Sequence, residues 1–178
     1  MLGQYGNFPA NMHRIDNFTS TLTTKQLQQR LIQVLYELNK KTFSFEETAN
    51  PTIPDCTVNF EYGLAEDNGF NFIDEAETKK AVEVLKKGRL QTIDLFCAIR
   101  YYKVSATKKT ALKFDYYMIR TIFGSNTVEI QISHQRGPRY ISPEDLTSFM
   151  VNKVNEALNE FSKSVKNSRV LILGVSYK

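Results

Sequence analysis

The apolar positions of the chain recur with two different spacings, and these predict where helices and strands lie. In residues 24–40, and again after Ser142, apolar side chains return every three or four positions, as on one face of a helix. Residues 75–87 are bounded by helix signals, with Asp74 as the N-cap and Gly88 after the last turn. Three helices are therefore predicted, and the last is the longest.

Strict alternation of apolar and polar side chains predicts strands between the helices. Residues 58–64 alternate, and 70–72 continue the pattern after Asn68-Gly69, a pair typical of tight hairpin turns. Three longer alternating runs follow at 90–104, 112–122 and 128–133. Because short polar turns join these runs, they predict an antiparallel meander.

This order of elements predicts an α+β fold of one domain. The antiparallel sheet combines the hairpin with the three-strand meander, and helices, including the long C-terminal helix, cover one of its faces. A chain of 178 residues has room for one domain of ordinary size. We assign residues 1–22 to an irregular N-terminal arm, 23–165 to the α+β domain and 166–178 to a C-terminal tail strand.

Composition limits the classes of protein to which the chain can belong. Hydrophobic residues make up 42% of the chain, which is enough to build a core. No apolar run approaches the roughly eighteen residues of a membrane helix, and the first residues lack a signal-peptide pattern. We therefore expect a cytoplasmic protein that does not bind membranes. Its two cysteines, Cys56 and Cys97, are too isolated for a disulfide framework or a zinc site.

Charge is distributed unevenly along the sequence. Residues 42–78 contain nine acidic residues and no Lys or Arg, whereas 86–113 contain eight basic residues and Asp94 as the one acid. Two interpretations remain open. The segments neutralise each other within the fold, or they form separate patches through which copies associate into a homo-oligomer.

The motifs of common enzymes are missing from the sequence. It contains no P-loop, no Gly-rich dinucleotide fingerprint and no nucleophile elbow, and His13 and His134 lack a second His or Cys at ligand spacing. We therefore expect neither a cofactor nor a metal, and a non-catalytic role is favoured.

One candidate site is the segment 136–140, between the last meander strand and the last helix. Arg136, Arg139 and Tyr140, with His134 close by, would suit an anion or a protein partner, because a helix N-terminus also attracts negative charge. The alternative is a tight turn whose backbone is set by Gly and Pro and whose arginines pair with nearby acids.

A second candidate site is a basic, aromatic part of the meander. Its residues are Arg100, Tyr101, Lys103, Lys113 and Tyr117. Sheets that stack bases on aromatic rings and hold phosphates with Lys or Arg bind single-stranded nucleic acid. No RNP-type motif accompanies these residues, and aromatic residues are also common in strands for packing reasons.

The last residues of the chain, 154–178, read VNEALNEFSKSVKNSRVLILGVSYK. They resemble one segment of the nucleotide-sugar dehydrogenases, the UDP-glucose and UDP-N-acetylmannosamine 6-dehydrogenase family, in which a long helix leads into a strand of a Rossmann-like domain. The resemblance covers about one seventh of the chain. The family's Gly-rich cofactor fingerprint and the Gly-rich stretch around its catalytic Cys are absent here, so the resemblance implies no catalytic residue.

These observations together predict a non-catalytic binding or assembly module. Its expected ligand is a protein partner or a small anionic molecule held between the sheet and a helix. The alternative is a single-stranded nucleic-acid-binding protein that uses the basic aromatic strands. A third interpretation is a fragment or fusion related to the nucleotide-sugar dehydrogenases.

Overall fold

The computed structural model describes residues 1–164 and 174–176, with side chains to residue 158. Three α-helices are described: α1 (Thr24–Asn39), α2 (Glu75–Lys87) and α3 (Pro143–Ser164). The described strands are β1 (Arg14–Thr19), β2 (Thr42–Ser44), β3 (Cys56–Glu66), β4 (Gly69–Phe72), β5 (Thr92–Val104), β6 (Lys109–Ala111), β7 (Asp115–Phe123), β8 (Thr127–Arg136) and β9 (Gly174–Ser176). The fold is mixed α and β.

All of these strands join one antiparallel sheet. Its order is β2-β3-β5-β7-β8-β1-β9, and β4 and β6 pair with β3 and β5 respectively. The predicted meander is confirmed as β5-β7-β8, and the predicted hairpin as β3-β4. Most of the predicted tail strand, 166–178, lies outside the described residues, except that residues 174–176 pair with β1.

The inner face of the sheet packs against α1 and α3. Phe149 of α3 stacks on Phe60 of β3, with ring centroids 4.8 Å apart. The predicted N-cap of α2 is confirmed, since the side chain of Asp74 accepts the backbone N–H of Glu77. The side chains of Thr23 and Ser142 accept backbone N–H groups in the first turns of α1 and α3 in the same way. No helix in the described part of the chain is long and apolar enough to cross a membrane.

Apolar side chains fill the space between the centre of the sheet and helices α1 and α3. The void that remains there has a volume of about 30 Å³, which is room for about one water molecule. It is lined by Phe18, Leu27, Leu31, Thr121, Phe123, Val128, Ile130, Met150, Val151 and Val154. This void has no room for a larger ligand, but a cleft of about 430 Å³ lies nearby, between α1, α3 and Phe43 of β2.

The N-terminal segment is more ordered than the sequence indicated, because β1 lies within the predicted irregular arm. Strand β1 pairs with β8 in full register. Its inward side chains include Arg14 and Asp16, which form an ion pair of 2.9 Å. Since polar residues occupy this inner face, the alternation typical of a half-buried strand is not visible in the sequence.

The chain before β1 lies between β3 and β5, at the end where these two strands no longer pair with each other. The N–H of Gly3 donates to the carbonyl of Ala65, and the carbonyl of Gly3 accepts from the N–H of Asp94, both at 2.7 Å. A side chain at position 3 would stand 2.9 Å from the Thr92 carbonyl, and the φ of +86° favours glycine. This anchor places the following residues on the outer face of the sheet.

Two local details differ from the prediction. The hairpin loop is Asp67-Asn68, one residue earlier than expected, and the positive φ falls on Asp67. The polar turn after β5 also contains a short strand, β6, which pairs back onto β5 through Ala111 and Tyr102.

Candidate functional site

Aromatic rings lie in a connected row on the outer face of the sheet. Phe70 of β4 contacts Phe96 of β5, Phe96 contacts Tyr116 of β7, and Tyr116 contacts Phe114, with centroid separations of 5.8, 5.3 and 4.8 Å. All four rings are half-buried, because the opposite positions of these strands face the helices. The outer face therefore presents partly accessible aromatic surface.

Positive charge gathers at one end of this row. The Lys109 ammonium lies 4.3 Å from the centre of the Tyr102 ring. Lys113 and Arg136 are exposed and, together with Phe114, line a cleft of about 510 Å³. We call this set of outward residues the basic aromatic face: Phe96, Tyr102, Lys109, Lys113, Phe114, Tyr116 and Arg136.

The cations of the cleft are not neutralised by the fold. Within the described ranges, neither Lys113 nor Arg136 has an ion-pair partner. Arg100, which lies over Phe114 at 5.2 Å, differs because its guanidinium is held by the carboxylate of Glu61 at 2.8 Å. The cleft therefore carries uncompensated positive charge.

The other end of the aromatic row is covered and neutral. The buried carboxylate of Asp94 pairs with Arg120 at 2.7 Å and accepts the N–H of Tyr5 at 2.8 Å. The Phe8 ring lies 4.3 Å from the Arg120 guanidinium, and Tyr5 contacts Phe70 at 4.7 Å. The N-terminal segment thus closes this end of the outer face.

The turn at 136–140 holds an anion that belongs to the protein itself. The Asp115 carboxylate is fully buried and accepts the N–H groups of Arg139 and Tyr140, at 2.7 and 3.1 Å. It also accepts the Tyr101 hydroxyl at 2.5 Å and lies 3.0 Å from His134 Nε2. The described contacts of Arg139 and Tyr140 with this anion are made by their backbone. Pairing of the side chains of Arg136 and Arg139 with acids, which the alternative of a structural turn includes, is not among the described ion pairs.

The structure divides the five residues predicted for a nucleic-acid face between two sides of the sheet. Tyr101 and Tyr117 point inward and are 0% exposed, so neither ring is accessible for stacking on a base. Burial raises the pKa of both hydroxyls above the usual range. Lys103 donates to the carbonyl of Pro54 at 2.5 Å, and Lys113 lies at the cleft.

The two histidines lie beside each other near the turn. The backbone N–H of His134 donates to His13 Nδ1 at 2.9 Å, and the ring centroids are 6.3 Å apart. Desolvation, followed by the nearby Arg139 charge, lowers the pKa of His13. In the part of the chain that the structure describes, no group of three or more His, Cys, Asp or Glu side chains could hold a metal ion.

One ion pair among the described residues links the acidic and basic segments of the sequence. Glu61 of the acidic segment pairs with Arg100 of the basic segment, whereas Glu66 pairs with Lys80 of α2. Internal neutralisation thus accounts for some of the charge. Association into a homo-oligomer stays a prediction.

The sequence did not single out Phe96 and Phe114, which belong to the basic aromatic face. The alternation of 112–122 does place Phe114 and Tyr116 on the same side of their strand. The alternation does not indicate which side of the strand faces the helices, since both sides contain apolar residues.

The chain matches no family model, no curated protein and no solved structure. The resemblance of residues 154–178 to nucleotide-sugar dehydrogenases therefore stays a prediction, and most of that segment's side chains lie outside the described residues.

Proposed function

We propose that this chain is a non-catalytic binding module whose binding surface is the basic aromatic face. The observation that carries the proposal is the cleft between Lys113 and Arg136, where two exposed cations without ion-pair partners among the described residues flank an aromatic ring. Cations that a fold leaves unpaired beside an apolar floor are available for an anionic ligand that also has an apolar or planar part.

The pairing of the cations favours this surface over the other large cleft. A cleft of about 430 Å³ lies between α1, α3 and Phe43 of β2, where Lys153 already pairs with Glu156, whereas the cleft on the outer face has a volume of about 510 Å³ and its two cations have no ion-pair partner among the described residues. The location favoured by the sequence, between the sheet and a helix, stays a prediction.

The buried acids favour a structural role over a catalytic one. Asp94 is held by Arg120 and the backbone of Tyr5. Asp115 is held by three donors, two from the turn and one from Tyr101, with His134 Nε2 3.0 Å away. A carboxylate whose oxygens are all occupied by fixed donors of the fold is poorly placed to exchange protons with a substrate. These contacts support the non-catalytic role that we propose.

The test is a titration of the ¹⁵N-labelled protein with tripolyphosphate, a small multivalent anion. We expect amide shifts concentrated in 109–116 and 135–138. The double variant K113Q/R136Q should weaken binding by about fivefold to tenfold, since each exposed charge contact is worth up to about 1 kcal/mol.

The control for charge is the double variant K87Q/R89Q. It removes the same charges from two exposed positions, the last residue of α2 and the second residue after it, and should leave the affinity within about twofold of the parent, because screening weakens interactions between distant exposed charges. Equally weakened binding in both double variants, or shifts spread over the helices, would contradict the proposed surface.

A further inference from the structure

We infer that the ligand of the basic aromatic face is single-stranded nucleic acid, an inference that rests on the binding surface proposed above. The inference rests on two features that occur together: a row of contacting, half-buried aromatic rings, and unpaired cations at one end of that row. Small anions would use the cations alone. A strand of nucleotides uses both, because it alternates flat bases with phosphates.

The aromatic rings extend over enough of the outer face to contact several successive bases rather than one. Phe96, Tyr116 and Phe114 follow each other across two strands with centroid separations of 5.3 and 4.8 Å, and Tyr102 lies on the same outer face beyond Arg100. Aromatic residues on a flat sheet stack about two or three bases in known single-strand-binding domains. The uncovered part of this row is of that size.

The cations lie next to the aromatic rings, in the position that the phosphates of a strand stacked on those rings would take. Lys113 and Arg136 line the cleft against Phe114, and Lys109 lies against Tyr102. The acid that faces this end from the sheet, Glu61, is already paired with Arg100. A phosphate backbone at the cleft would therefore meet positive charge that the described residues leave uncompensated.

Unpaired bases fit this surface better than a duplex or an acidic peptide. In a duplex the bases are stacked on each other and their faces are closed to the rings, so a duplex would contact the cations only. An acidic peptide supplies negative charge but no flat group to stack on the rings. The N-terminal segment covers Phe70 and Arg120, which limits the site to the basic end of the row.

The experiment measures the binding of a fluorescently labelled oligo(dT) of about ten nucleotides, a length within the range of single-strand sites. Competitors are the duplex of the same length, tripolyphosphate and poly-glutamate. We expect the single strand to bind at least fivefold more tightly than the duplex. The variant K113Q/R136Q should lower the slope of log affinity against log salt by about 0.7 for each phosphate that it no longer neutralises, and K87Q/R89Q should not.

The variant Phe114→Leu separates stacking from charge. It keeps an apolar side chain at the cleft and removes the flat ring, and we expect it to weaken oligo(dT) binding by about fivefold or more and tripolyphosphate binding by a smaller factor, because a small anion contacts mainly the cations. The control is Phe72→Leu, at a phenylalanine that is 51% exposed and outside the basic aromatic face. Melting curves of both variants show whether each is folded, and the exposed pair K113Q/R136Q tests the site independently of packing.

The outcomes separate this inference from the proposed function. If Phe114→Leu has no effect while K113Q/R136Q weakens every anion equally, the surface binds anions but nucleic acid is not its ligand. Tighter binding of poly-glutamate than of oligo(dT) would overturn the inference in favour of an acidic protein partner. If neither tripolyphosphate nor oligo(dT) binds at low salt, both the inference and the proposed function fail.

Discussion

Replacing Asp115 with Asn tests whether the buried carboxylate holds the turn at 136–140 in place. The carboxylate is 0% exposed and accepts from two backbone N–H groups and the Tyr101 hydroxyl, with His134 Nε2 at 3.0 Å. An Asn side chain has the same size but only one accepting oxygen, so its NH₂ group would face donors such as the N–H of Tyr140 or Arg139.

The magnitude follows from these hydrogen bonds. Hydrogen bonds to a charged group contribute about 1.5–3 kcal/mol each, and a buried donor left without an acceptor costs about 1–3 kcal/mol. Removing two of the four interactions should therefore lower the free energy of unfolding by about 3–5 kcal/mol. For a chain of this size that corresponds to a fall in Tm of about 10 °C.

Thermal and urea denaturation followed by circular dichroism would measure this change. The control is Asp55→Asn, at an exposed position with a positive φ of 52° that Asn tolerates, and we expect its Tm to match the parent. A Tm for Asp115→Asn within about 2 °C of the parent would refute the assignment of Asp115 as the anchor of the turn.

Two further predictions concern the same region. Gly137→Ala should destabilise the protein by at least about 2 kcal/mol, because Gly137 has a φ of +113° and an added Cβ would lie 2.3 Å from the Phe114 carbonyl. The control in urea denaturation is Gly6→Ala, whose Cβ would meet nothing within 4 Å. Equal urea midpoints for the two variants would contradict the close approach at Gly137. Burial raises the pKa of Tyr62, Tyr101 and Tyr117. The unfolded chain therefore loses these hydroxyl protons from about pH 10, while the folded chain keeps them. Above that pH the free energy of unfolding should fall by up to about 1.4 kcal/mol per pH unit for each tyrosine. Urea midpoints that stay constant from pH 8 to pH 11 would be evidence against this, as would full tyrosine ionisation in the ultraviolet spectrum before unfolding.

Local regularities in the sequence determined most of the secondary structure. The capping residues and apolar spacing place α1 and α2 within a residue of their observed bounds, because helix caps and the 3.6-residue period depend on neighbours along the chain. Strand β1 could not be found in this way. Its inward Arg14 and Asp16 satisfy each other, and its place in the sheet comes from pairing with β8, which is more than 100 residues away in sequence.

For the candidate site, too, the sequence determines the local pattern and the tertiary structure determines the rest. Alternation in the sequence determines that Phe114, just before β7, and Tyr116 share one side of the chain and that Asp115 and Tyr117 share the other, because successive side chains of a strand point to opposite faces. It does not determine which side is buried, since each contains both polar and apolar groups. Only the tertiary structure decided this. The side with Asp115 faces inward because distant parts of the chain, Tyr101 and the backbone of 139–140, supply the donors that a buried carboxylate requires, and the rings of the opposite side are left facing outward.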